Sequence, residues 1–362
     1  MRHWLRNGLT ALSLITPLWC ASSSAVQGPQ AKGGELRAHK FVALRMGTEF
    51  QIQIYSTDAL SAQKASLAAF DRVEELEDIM SDYRERSEVM RLCRAPAGIP
   101  QAVSPELFFV LDAALRISRL SGGAFDATIG PVVQIWREAR KKKQLPDPAD
   151  IKRARQLVGF NNVVLDPAER TVTLKLPKMR IDLGGIGKGY AADEALRVLV
   201  ARGFRRALVQ AGGEIVVGDA PPGRAGWKIR IRKPDSTDPK APAYLLLDHK
   251  GVSTSGDSFQ YLEVNGQRYS HIINPGDGMG LRNSPEVTVV ARDGISADAL
   301  STALDIMPIP EGLKLVEMIE GASAVITRTS PTGSEHFYSR GFPNYPGEVT
   351  KNTRTTEHKG NQ

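Results

Sequence analysis

The stretch Ile181 to Leu196, IDLGGIGKGYAADEAL, holds the densest set of residues able to do chemistry. An apolar strand ends at Asp182, passes Gly184, Gly185, Gly187, Lys188 and Gly189, and opens an amphipathic helix. Glycines let backbone amides approach a ligand closely, and a helix start adds unpaired donors and the positive end of its dipole. Such a turn suits a pyrophosphate, although a strand-to-helix turn that simply needs room uses the same residues. Two nucleotide-binding patterns do not fit. A Walker A loop requires Ser or Thr where Gly189 stands and glycine where Asp182 stands, and the spacing is not that of a dinucleotide fingerprint.

Two further sites carry donors. Asp298 and Thr302 lie four apart on a helix expected to open at Ser296, so carboxylate and hydroxyl project from one face. Hard oxygens of this kind suit Mg²⁺, and first-turn Asp and Thr are also ordinary helix caps. His271 ends an expected strand just before the turn Asn274-Pro275-Gly276, where it would serve as a general base or hydrogen-bond the turn. No nucleophile elbow exists, because Ser255 stands where that motif needs glycine. Cys93 has no motif around it and reads as structural, and His and Cys do not cluster as zinc ligands do.

The elements that must position these groups follow from periodicity. Phe41 to Tyr55 reads as a strand interrupted by a bulge at Met46-Gly47-Thr48, and Leu60 to Met80 as a surface helix. Tyr83 lies in the polar turn that follows, as a core cap or as a stacking ring. Ser104 and Pro105 start a second helix that stops at Ser121-Gly122-Gly123. Residues 124–131, AFDATIGP, are too apolar for an exposed loop, so a ligand or second lobe is expected against them. The charged, proline-containing run from Arg137 to Asp150 reads as a surface excursion, with a short helix through Leu157 beyond it. Strands crowd 207–269, with a hairpin at Asn265-Gly266; a strand at 287–291, the Ser296 helix, a helix near 313–319 and a strand at 322–327 complete the pattern.

The chain has 362 residues, ordinary globular composition and a net charge of +7. Its basic residues are scattered apart from 140–143, RKKK, and no aromatic-interleaved basic stripe points to nucleic acid. Arg2 and Arg6 precede an apolar run to Trp19 and then small residues, which reads as a signal peptide over 1–25, cleaved after Ala25. A lipid anchor at Cys20 is disfavoured by the bulky Trp19. A flexible leader is expected over 26–40 and a polar, disordered tail over 347–362. Periplasmic or secreted localisation follows.

Taken in order, Met46-Gly47-Thr48, Met80-Ser81-Asp82-Tyr83, the run 122–131, the glycine turn at 182–193, Gly212-Gly213-Glu214, Ser253 to Gly256, His271 to Pro275 and Ala297 to Ala303 resemble the ApbE family, the FAD:protein FMN transferases. The resemblance spans about Phe41 to Thr327. It implies an α/β (α+β) fold: a single T-fold-like domain over 41–330, with mixed, largely antiparallel sheets flanked by helices and an FAD cleft. It implies Mg²⁺-dependent transfer of FMN from FAD to a Thr or Ser hydroxyl of an exported redox protein, with release of AMP. An FAD pyrophosphatase and a flavin-binding protein without turnover are the alternatives. Carried over by motif, Gly187 (through its carbonyl), Asp298 and Thr302 would ligate Mg²⁺. His271 would activate the acceptor and Lys188 would share the diphosphate charge. Met46, Tyr83, Ala124, Phe125, Asp126, Gly185, Lys188 and Ile273 would contact FAD. Two positions depart from the family pattern: Asp277 replaces a hydroxyl residue, and Cys93 stands where asparagine is usual.

Overall fold

Alternating apolar positions in nine-residue strands and small residues at helical spacing build the part of the molecule that matters for the site. The computed structural model describes residues 35–232, 242–256, 261–282, 284–330 and 333–343. The expected signal peptide, Cys20 and the tail from Gly347 lie outside the described residues.

In chain order the elements are β1 (Arg37–Arg45), β2 (Thr48–Ser56), α1 (Ala59–Met80), α2 (Glu88–Arg94), β3 (Gln101–Ala102), α3 (Pro105–Leu120), α4 (Gly130–Lys142) and α5 (Pro148–Arg155). Then come β4 (Val163–Asp166), β5 (Thr171–Leu174), α6 (Gly187–Ala201), β6 (Ala207–Ala211), β7 (Glu214–Val217), β8 (Trp227–Arg232) and β9 (Pro242–Leu247). The chain continues through β10 (Lys250–Ser255), β11 (Tyr261–Val264), β12 (Gln267–Ser270), β13 (Glu286–Ala291), α7 (Gly294–Ile306), α8 (Ile309–Glu317), β14 (Ser323–Ser330) and β15 (Gly333–Tyr338).

The central sheet has eight strands in the order β1-β2-β6-β7-β10-β13-β14-β15. Every neighbouring pair in it is antiparallel. Helices α1, α6 and α7 contribute Ala65, Ala69, Leu76, Ala192, Leu199, Leu300 and Ala303 to the main core, together with Phe50, Ile52, Val209 and Val289 from the sheet. Alanines at the contacts let these helices lie close to one another and to the strands. Arg72 on α1 pairs with Glu106 on α3 and buried Glu194 on α6, both at 2.8 Å, so three helices are also tied by charge.

Several expectations are corrected here. Residues 41–55 are not one bulged strand but the hairpin β1–β2, because Met46 and Gly47 both take positive φ, 49° and 70°, and reverse the chain. β1 starts at Arg37, inside the expected flexible leader. The excursion expected from Arg137 is largely helix: α4 runs to Lys142, burying Val132, Trp136 and Ala139 beneath its charged face. The helix expected through Leu157 is α5, which ends at Arg155, and the last helix starts earlier than read, at Ile309. β15 was not anticipated. The Asn265-Gly266 hairpin and the Ser104 cap, which accepts from the Leu107 amide, are as read.

Candidate active site

The glycine turn, the start of α7 and the start of β7 meet in one cluster. α6 has no capping side chain of its own at Ile186. Its exposed amides are met from the neighbouring helix, where Asp298, 2% exposed, accepts from the Gly189 N–H at 2.9 Å. Asp298 is therefore a cap, though of α6 and not of its own helix. α7 is capped by Asp293 and by Asp193 of α6, which accepts from the Gly294 and Ile295 amides at 2.7 and 2.9 Å. The two helix starts thus cap each other, and this requires that they touch. A Cβ at Gly189 would fall 2.1 Å from the Gly294 carbonyl oxygen, so only glycine permits the crossing.

Lys188 reaches from this crossing to Glu214, with 3.2 Å between Nζ and Oε1, and donates to the Gly184 carbonyl at 3.3 Å. Burial works against its charge, but Asp298 and Glu214 hold its pKa above the ordinary lysine value. Burial pushes Glu214 up to about 7 and raises Asp298, with the Lys188 ammonium opposing both shifts. Glu214 Oε2 is buried with no hydrogen-bond partner among the described residues. The sequence reading gave Glu214 no role, because a glutamate opening a strand carries no periodic signal; the preceding Gly212-Gly213 was the available hint.

The resemblance offers the Gly187 carbonyl to the metal, at the start of the same helix. Gly187 opens α6, where a carbonyl is taken by the amide four residues on, and its Cα faces Met80 and Leu183. Gly185 lies outside the helix, and a Cβ there would come within 2.8 Å of Thr302 Oγ1. The Gly189 N–H, which in a continued helix would bond the Gly185 carbonyl, goes to Asp298. Asp298 therefore meets the glycine turn at Gly189, and the half-buried Thr302 packs against Gly185. Among the described residues no group of three or more His, Cys, Asp and Glu side chains gathers as a metal site. Asp298 and Thr302, a single carboxylate and a hydroxyl four apart on α7, suit a hard cation that keeps other positions for water or phosphate.

Met46 sits in the hairpin turn, with its amide held by Glu77 Oε2 at 2.9 Å, and neighbouring Thr48 lies beside Gly212. Asp126, expected to contact FAD, spends its carboxylate on its own loop. Oδ1 accepts from the Thr128 amide and hydroxyl, and Oδ2 from the Phe160 amide. Burial raises its pKa, and those bonds oppose the shift. The buried 124–131 loop thus finds its partners within the protein, including Ala127, whose carbonyl accepts from the Asp182 amide at 2.7 Å. Phe125 is buried and Ala124 half-buried.

His271 follows β12 and is exposed, while Ile273 is buried and bridges to Gly280. Their turn is carried by α4 and α5: Trp136 donates to the Gly278 carbonyl at 2.8 Å, and Arg155 donates to the Gly276 carbonyl. The next residue along α4, Arg137, bonds Asp182 at the head of the glycine turn, so α4 links the two regions. Two surface cavities of about 610 and 460 Å³ lie elsewhere, against Arg84 and Arg91 and against Phe108 and Phe160, and neither is lined by the glycine turn.

Residues 46–326 match the model of the ApbE family. This chain belongs to the ApbE family. The FAD:protein FMN transferase of Vibrio cholerae is 30% identical over 302 residues, covering 82% of this chain and 89% of that one. The protein of the same name from Haemophilus influenzae is 31% identical over 296 residues, covering 78% and 85%. Among solved structures, the flavinyl transferase ApbE of Pseudomonas stutzeri, apo form, aligns with a TM-score of 0.74 at 28% identity, covering 84% of this chain and 96% of that one. The flavin transferase ApbE of Vibrio cholerae aligns with the same TM-score at 27% identity, covering 84% and 98%.

Both departures from the ApbE pattern have local jobs. Cys93 Sγ accepts from the Ile181 amide at 3.3 Å, supporting the segment that enters the glycine turn. Asp277 Oδ1 accepts from the Met279 amide at 2.8 Å and so closes the turn after His271.

Proposed function

We propose that this protein transfers the FMN half of FAD to a Thr or Ser hydroxyl of an exported redox protein and releases AMP. The observation that carries the reading is that Asp298 and Lys188 meet at the start of α6 while Thr302 packs against Gly185 of the same glycine turn, in a chain of the ApbE family. The α6 start and the Lys188 ammonium offer a positive field to the diphosphate, and Glu214 fixes the direction of the ammonium. Asp298, Thr302 and the Gly187 carbonyl would hold Mg²⁺, whose charge would offset that of the diphosphate and favour departure of AMP. The acceptor hydroxyl attacks the phosphorus on the FMN side; one P–O bond forms, the P–O bond to AMP breaks, and the hydroxyl proton passes to a base. His271, exposed beside its rigid turn, is the candidate base, because an imidazole takes up a proton near neutral pH.

Export through the N-terminal signal supports a periplasmic or secreted setting, and among the described residues no helix is long and apolar enough to cross a membrane. The test is incubation with FAD, Mg²⁺ and a protein bearing a flavinylation site, followed by a denaturing gel. A fluorescent acceptor band supports the reading. Free FMN without labelling would mean that water takes the place of the hydroxyl, and FAD recovered intact would mean binding without turnover.

A further inference from the structure

Tyr83, 74% exposed, follows the turn out of α1, yet one face of its ring is covered. The guanidinium carbon of Arg137 lies 3.9 Å from the ring centroid, within stacking range. Arg137 is pinned in that position. Its Nη1 donates to Asp82 Oδ2 at 2.5 Å, and its Nη2 donates to Asp82 Oδ1 and to Asp182 Oδ2, each at 3.2 Å. Its side chain is only 15% exposed, and its Nε is buried with no hydrogen-bond partner among the described residues. A buried unpaired N–H costs free energy, so packing alone is a poor reason to keep an arginine here. Asp182 also accepts from the Gly184 amide at 2.8 Å. One guanidinium therefore fixes an aromatic plane relative to the turn that opens the diphosphate site.

Resting on the FAD reading above, we propose that Arg137 makes Tyr83 a fixed aromatic platform for one planar ring of the dinucleotide. The guanidinium backs one face of the tyrosine, and the ligand ring stacks on the other. Arg137 is a positioning residue, because it acts through Tyr83. Lysine could face the two carboxylates but offers no planar surface to the ring. The isoalloxazine and the adenine share the required chemistry, so both halves of FAD are used as probes.

The experiment is calorimetric binding of FAD, FMN and AMP to the wild-type chain, Arg137→Lys, Tyr83→Leu and the double variant, with thermal midpoints recorded for each. Each single variant should bind FAD about 2- to 30-fold more weakly, the range expected for a lost cation–π or stacking contact. The double variant should be no weaker than the worse single, and the loss should follow FMN or AMP, whichever carries the stacked ring. Losses that multiply in the double variant would show that Arg137 acts independently of Tyr83 and would overturn the proposal. Wild-type affinity in Arg137→Lys would do the same. Tyr83 is exposed, so Tyr83→Leu tests the platform even if the arginine variant folds poorly, and unchanged FAD binding there also overturns it. A wild-type chain that binds no FAD sinks the dinucleotide reading and this inference together, whereas FAD binding with independent effects sinks the inference alone.

Discussion

Asp298 has two jobs that can be separated. One oxygen caps α6, and its position beside Thr302 makes the carboxylate a ligand candidate. Asp298→Asn keeps an acceptor for the Gly189 amide, so its urea midpoint should correspond to a loss of under about 1 kcal/mol. AMP release at limiting Mg²⁺ should fall by about 100-fold or more, as expected when a charge-stabilising group is removed. Full activity at limiting Mg²⁺ would remove the ligand assignment. Cys93 gives a second residue-scale prediction. Burial raises its thiol pKa, with the Ile181 amide opposing, so the reactive thiolate is scarce at pH 8. Alkylation should be slow in the native protein and fast in denaturant; rapid native labelling would contradict the placement of this side chain. Asp298, Thr302 and Lys188 were legible because helix spacing and the glycine turn exposed them. The pairing of Lys188 with Glu214 was not, since a contact between a helix start and a distant strand leaves no trace in local pattern.

At the scale of elements, the crossing of α6 and α7 is the critical joint. Gly189→Ala places a methyl group against the Gly294 carbonyl and should cost at least about 3 kcal/mol or prevent folding, because backbone cannot yield as a side chain does. Gly187→Ala meets its nearest atoms at 3.8 Å and should fold normally. Thermal unfolding of the pair checks this, and equal midpoints would mean that the helices are farther apart than described. The helices α1 and α3 and most strands could be read from periodicity. α4 could not, because REARKKK masks the apolar stripe Val132, Trp136 and Ala139. The hairpin of β1 and β2 was missed because Met46, a non-glycine residue, adopts positive φ at the turn.

At the scale of the molecule, the family pattern was legible as an ordered series of short motifs, and the antiparallel sheet with helices α1, α6 and α7 in one core agrees with it. The contribution of α4 was not legible, since its neighbours Trp136 and Arg137 hold the His271 turn and the glycine turn at once. That arrangement brings candidate base and diphosphate site onto one support, and the account depends on both serving a single transfer. The most direct measurement is the intact mass of an exported acceptor protein after incubation with this enzyme, FAD and Mg²⁺. The expected result is a gain of one FMN less one water on a single Thr or Ser, abolished by chelator and by Asp298→Asn. An unmodified acceptor with FAD bound, or an adduct that persists in excess chelator, would contradict it.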